Sequence, residues 1–260
     1  MAAALRVLFV GSSQLRFQES DAAGSLSELT HRRLAEVHPS ASWESFTAVI
    51  YPLADMETRV RSLVDLRKPD AVLLYLGSST FAEAKVEYAL RQKYRRLARL
   101  AVPFVGAVRS AAGGGTEGSS GARGLIFRFP RKVGRQVFGA APLVTPEAAL
   151  QAVDSTIRML EKRCGGRLLV VLSSGTPQVR ESAERTARLI EGFNDAVSAI
   201  CEALGVRYVH PARCLAGRGA DYVLHRDGVH ADLQTRRHLS EALAGELLVV
   251  LGVPSGDRPH

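Results

Sequence analysis

Lysine is scarce in this 260-residue chain, occurring only at positions 68, 85, 93, 132 and 162, so arginine supplies nearly all of the 34 basic residues. Tryptophan occurs once, and cysteine three times, at 164, 201 and 214. An odd number of cysteines without metal-ligand spacing argues against a disulfide framework and against a cysteine-built metal centre. Free thiols are expected, and no metal or organic cofactor. No stretch approaches the roughly eighteen apolar residues that a bilayer-crossing helix needs, so no membrane association is expected. The opening MAAALRVLFVG lacks a basic leader, and its short apolar run continues directly into a strand-like motif. A cytosolic location is the expectation. There is no Gly-x-Gly-x-x-Gly and no phosphate-loop lysine, which weighs against a nucleotide site built on the glycine-serine turn near the start. A net charge of +8 and pI of about 9.8 come with no nucleic-acid module signature, so no nucleic-acid partner is expected.

What is present is ordinary globular material, 46% apolar and 23% charged. The length suits one sizeable α/β domain, and one domain over 1–260 is the expectation. The positive charge gathers at 91–99 (RQKYRRLAR) and 128–135 (RFPRKVGR). Such clusters suit an anionic substrate or an acidic partner such as an acyl carrier protein. The first also reads as the solvated face of a helix.

Short apolar runs alternate with helical patterns, the signature of a parallel sheet covered on both faces. Five runs read as buried strands: 5–10 (LRVLFV), 44–50 (ESFTAVI), 71–76 (AVLLYL), 168–172 (LLVVL) and 206–210 (VRYVH). Helices are expected over 24–37, 56–66, 81–100, 146–163, 184–204 and from about 231 to 251. Thr145 is a good N-cap with Pro146 in the first turn, and Gly205 marks a helix end. Residues 110–124 (SAAGGGTEGSSGARG) have no apolar periodicity and read as a flexible insertion, of the kind that forms a lid. Right-handed crossovers then give a three-layer α/β/α sandwich with the flavodoxin-like strand order 2-1-3-4-5. Its ligand rim is at the carboxyl ends of the strands, which places Gly11-Ser12-Ser13 and Gly77-Ser78-Ser79 on either side of the switch point.

A serine nucleophile needs a base within hydrogen-bond reach, a group orienting that base, and donors for the developing oxyanion. Ser13 stands in a tight turn after the first strand. His230 follows Asp227 by three residues, just before the last helix, so one loop can hold a carboxylate against one ring nitrogen and leave the other facing Ser13. Either signal alone is weak, since Gly-Ser-Ser is commonly a turn and Asp-x-x-His a surface pair. His31 and His38 read as surface residues, Asn194 and Asp195 as facing the sheet or capping locally. His210-Pro211 reads as structural or as part of the pocket rim.

Leu8-Phe-Val-Gly-Ser-Ser, Ala71–Thr80 (AVLLYLGSST), Phe193-Asn-Asp-Ala and above all Asp227-Gly-Val-His-Ala-Asp together resemble the sequence blocks of the SGNH (GDSL-like) hydrolases, over nearly the whole chain. The resemblance implies the SGNH hydrolase fold, Ser13 as nucleophile, His230 as base and Asp227 as its orienting carboxylate. It places Gly11, Ser12, Gly77 and Ser79 on the oxyanion and substrate side. Ser12 stands where the family carries Asp and Ser79 where it carries the oxyanion Asn, and the stretch 43–66 offers no glycine for the remaining donor. The implied activity is that of a serine esterase or acyl hydrolase acting on a small or medium acyl ester. Acyl transfer, or ligand binding on the same fold with impaired catalysis, remains open.

Overall fold

The computed structural model describes residues 4–18, 24–50, 55–77, 144–173, 183–225 and 230–253. The expected helix at 81–100, the insertion at 110–124, both arginine clusters, Ser79 and Asp227 lie outside the described residues. The chain divides into two compact units, Met1–Thr80 with Pro146–His260, and Phe81–Thr145. Every element below belongs to the first.

Five parallel strands form one sheet: β1 (Leu5–Gly11), β2 (Trp43–Val49), β3 (Ala71–Tyr75), β4 (Leu168–Val171) and β5 (Arg207–Val209). Their order is β2-β1-β3-β4-β5, as expected from the alternation of apolar runs and helices. The helices are α1 (Leu26–Val37), α2 (Met56–Arg67), α3 (Pro146–Cys164), α4 (Ala183–Leu204), α5 (Pro211–Ala216) and α6 (Leu233–Leu251). α1 packs on α6, and α6 on β3, β4 and α5. α3 packs between α2 and α4 and also meets β3 and β4.

The period of two along the strands explains the sandwich. Val7, Phe9, Leu73, Tyr75, Leu169 and Val171 point to one face, where they join Leu34 of α1 and Leu239, Leu243 and Leu247 of α6. The intervening Leu8, Val10, Val72, Leu74 and Val170 are equally buried. Both faces are dry, so these strands read as unbroken apolar runs. α1 starts with a full capping box: Ser25 Oγ accepts from the Glu28 N–H, and the Glu28 carboxylate accepts from the Ser25 N–H.

Two of the expected buried strands are not fully buried. Among the described residues β2 and β5 are the outer strands, each paired on one side only, and both expose residues to solvent. Glu44, Ser45 and Thr47 in β2 and Arg207 in β5 are the polar residues that an edge tolerates. Two short elements escaped the periodicity altogether, a 3₁₀ turn at Ser13–Leu15 and α5, because a single turn carries no repeat to detect.

Candidate active site

β1 ends at Gly11, which lies opposite Val49 on one side and Tyr75 on the other. Its φ is +134°, and a Cβ there would stand 2.0 Å from the Tyr75 carbonyl oxygen. Glycine is therefore required for the chain to leave the sheet at this point. The Ser12 N–H donates to Tyr75 O at 2.9 Å, extending the β1–β3 ladder by one rung. The Ser12 hydroxyl accepts from the Gln14 N–H at 3.2 Å and caps the 3₁₀ turn. Both groups serve the turn, and the result is that Ser13 is lifted to an exposed position. Gly77 closes the same corner from β3: a Cβ on it would stand 3.0 Å from Ser12 Cβ and 3.1 Å from Ser12 Oγ.

The second half of the site comes from the other end of the chain. Leu224 and Ala231 form an antiparallel bridge. The His225 N–H donates to His230 O at 2.7 Å, and the Asp232 N–H to Val223 O at 3.0 Å. These bonds clasp residues 223–225 against 230–232. Asp232 also caps α6, its Oδ1 accepting from the Thr235 N–H at 2.7 Å. His230 is thus held between a backbone bridge and a helix start.

The two halves meet. Ser13 Oγ lies 2.9 Å from His230 Nε2, a hydrogen-bond distance spanning 217 positions of sequence. Of the residues singled out from sequence, the structure therefore brings Ser13 and His230 together and places Gly11, Ser12 and Gly77 beside them.

Three residues that sequence reasoning missed brace the segments bearing this pair. Gln14 is 92% buried, and its Oε1 accepts from the Ala231 N–H at 3.0 Å. The Phe17 ring lies parallel to the His230 imidazole, with centroids 4.0 Å apart, and meets His225 at 5.1 Å with a 53° tilt. Arg236 is fully buried, its Nη1 donating to Phe17 O at 2.9 Å and to Gly24 O at 2.7 Å. Its guanidinium carbon lies 5.3 Å from the Phe17 ring centroid. Arg236 had a sequence signal: it stands three and seven residues before Leu239 and Leu243, on the apolar stripe of α6. Gln14 and Phe17, in a segment too short for periodicity, had none.

Other candidates serve the scaffold. Asn194 is buried and grips the backbone of Ser173 beyond β4, with Nδ2 donating to Ser173 O at 2.8 Å and Oδ1 accepting from Ser173 N at 3.1 Å. Asp195 is exposed. His38 follows α1 on the surface, its Nδ1 3.2 Å from Ser40 Oγ. His210 caps α5, its side chain accepting from the Arg213 N–H. Burial, then the Arg213 charge, pushes its imidazole below the ordinary value. Burial raises the thiols of Cys164 and Cys201, the latter to about 12, so both stay protonated and unreactive at neutral pH. A cavity of about 390 Å³ along α2 and α3 is lined by none of the site residues. Its Arg61, Arg158 and Arg163 are already paired with Glu57, Asp154 and Asp65.

No protein-family model matches the sequence, and no curated protein does. Solved structures do. An acetylxylan esterase from Geobacillus stearothermophilus is 14% identical with a TM-score of 0.57, the match covering 94% of each chain. TesA is 16% identical, with a TM-score of 0.55 over 95% of this chain and 99% of that one. An α/β hydrolase enzyme from the metagenome of Lake Arreo, Spain, is 16% identical, with a TM-score of 0.57 over 97% of each. The matched forms of the Geobacillus enzyme include catalytic mutants with a serine or a histidine replaced by alanine. At such identities the likeness establishes the fold, which is the α/β/α fold of SGNH hydrolases.

Proposed function

We propose that this protein is a serine esterase of the SGNH type, acting on a small or medium acyl ester through an acyl-enzyme on Ser13. The observation that carries the reading is the 2.9 Å separation of Ser13 Oγ and His230 Nε2, on a serine exposed at the carboxyl end of β1. At that distance the imidazole can take the hydroxyl proton as the oxygen attacks the ester carbonyl. The proton then passes from Nε2 to the departing alcohol, and the acyl group stays on Ser13. A water deprotonated by the same nitrogen releases the acid and restores the serine. General acid–base action of this kind contributes roughly 10²–10⁴-fold.

Asp227 enters by resemblance, as the carboxylate that holds the other ring nitrogen. Gly11, Ser12, Gly77 and Ser79 are assigned to the oxyanion and substrate side on the same ground. With its N–H engaged by Tyr75 O, Ser12 has only its hydroxyl proton to offer a developing negative charge. With Ser79 in place of the family's Asn and no glycine over 43–66, two donors depart from the family's pattern. Each one lost costs about 10²–10³ in rate, so a slow esterase is expected. Such an acyl-enzyme suits transfer to an alcohol as well as hydrolysis.

A fluorophosphonate probe tests the reading, with p-nitrophenyl acetate as the first ester, since an acetyl esterase is among the proteins of this fold. Wild type is expected to label at Ser13, Ser13→Ala not at all, and His230→Ala at least about 10³-fold more slowly. Absence of labelling together with absence of ester turnover overturns the proposal in favour of a binding role.

A further inference from the structure

The imidazole of His230 rests on Phe17, and Phe17 is itself held through its backbone and its ring. The Phe17 N–H donates to Ser13 O at 2.9 Å. Its C=O accepts from Arg236, and its ring lies near the same guanidinium. Arg236 is fully buried, and a guanidinium removed from water needs its N–H groups met by oxygen. The carbonyls of Phe17, Gly24 and Asp232 meet them. The segment after the serine turn is thereby tied to the first turns of α6, the helix that starts two residues after Ala231.

From this geometry we infer that Phe17 is a positioning residue for the Ser13–His230 pair, its ring serving as the platform that fixes the orientation of the imidazole. The inference rests on the esterase reading and extends it to a residue that neither proton transfer nor oxyanion binding uses. The torsion that turns an imidazole about Cβ–Cγ is broad and roughly two-fold, so the backbone at 230 alone does not fix where Nε2 points. A flat face in parallel contact at 4.0 Å removes most of that freedom, because tilting the ring would either separate the faces or drive the edges together. The Ser13 turn thus supplies both the oxygen to be activated and, four residues later, the surface that aims the base at it.

Phe17→Leu keeps apolar volume and loses the flat face, whereas Phe17→Tyr keeps both. The expected result for Phe17→Leu is a fall of about ten- to 10²-fold in kcat and in the rate of fluorophosphonate labelling, the size of loss that misplaced reacting groups give. KM should stay within about twofold, since substrate contacts are not removed. Phe17→Tyr should recover most of the loss. Independently of activity, the His230 ring protons should resonate upfield in wild type and in Phe17→Tyr and lose that ring-current shift in Phe17→Leu. A folded Phe17→Leu with wild-type kcat, a change confined to KM, or failure of Phe17→Tyr to rescue would overturn the inference. If wild type itself fails to label at Ser13, the esterase reading falls, and the ring placement is judged by the imidazole resonances alone.

Discussion

The side-chain carbonyl of Gln14 accepts the backbone N–H of Ala231 at 3.0 Å, joining the residue after the proposed nucleophile to the residue after its proposed base. Gln14 sits in the 3₁₀ turn and Ala231 in the bridge with Leu224, and both are buried. Gln14→Leu fills the same space and leaves the Ala231 N–H without this acceptor. A loss of about 1–3 kcal/mol is expected, the usual cost of an orphaned buried donor. Urea unfolding measures that loss, and the labelling rate at Ser13 should fall with it. Unchanged stability and rate would mean that another acceptor replaces the glutamine.

Gly77 and Gly11 should respond differently to the same change. Gly77→Ala puts a methyl 3.0–3.1 Å from the Ser12 side chain, a contact that a small shift of Ser12 relieves. Activity should fall several-fold with little change in melting temperature. Gly11→Ala meets a backbone oxygen at 2.0 Å at a φ of +134°, where neither partner can move without breaking the β1–β3 ladder. That variant should lose several kcal/mol or fail to fold, as backbone strain of this kind does. Equal melting temperatures for the two variants would contradict the geometry.

Asn194 should act on stability. Asn194→Ala removes both bonds to the Ser173 backbone. At about 1–3 kcal/mol for each buried group left unpaired, a clear drop in the urea midpoint is expected. The ratio of labelling rate to folded fraction should be unaltered, and a change in that ratio would place Asn194 in the site after all.

Stability should also depend on pH through His210. Burial first, and Arg213 second, lower its imidazole below 6.5, while Asp195 and Glu191 pull weakly the other way. On acidification the unfolded chain takes up this proton before the folded one does. The contribution is fully present above about pH 6.5 and declines as pH falls through the lower folded value. Protonation at Nδ1 would also remove the acceptor that caps α5. His210→Asn keeps a capping side chain and cannot titrate, so its unfolding free energy should fall less than that of wild type between about pH 7 and 5. Parallel pH curves for the two proteins would refute this.

The strand order was legible because its causes are local. Runs such as LRVLFV and AVLLYL need two buried faces, and the helical stretches between them force parallel pairing with right-handed crossovers. The position of Ser13 was legible for a similar reason, since a Gly-Ser-Ser at the end of such a run must turn at the ligand rim. The exposure of β2 follows from that order, which sets it at an edge, whereas ESFTAVI taken alone reads as a buried strand. Gln14 and Phe17 were invisible because their partners stand more than two hundred positions away.

By itself, then, the amino-acid order determined the layers, the sheet topology and the candidate site positions at the two ends of the chain, because burial periodicity and turn chemistry act over a few residues. Only the tertiary structure decided that Ser13 Oγ and His230 Nε2 stand 2.9 Å apart, and that Gln14, Phe17 and a buried Arg236 brace the segments bearing them. Side-chain contacts between segments more than two hundred positions apart depend on the packing of every intervening element, and no local pattern encodes them.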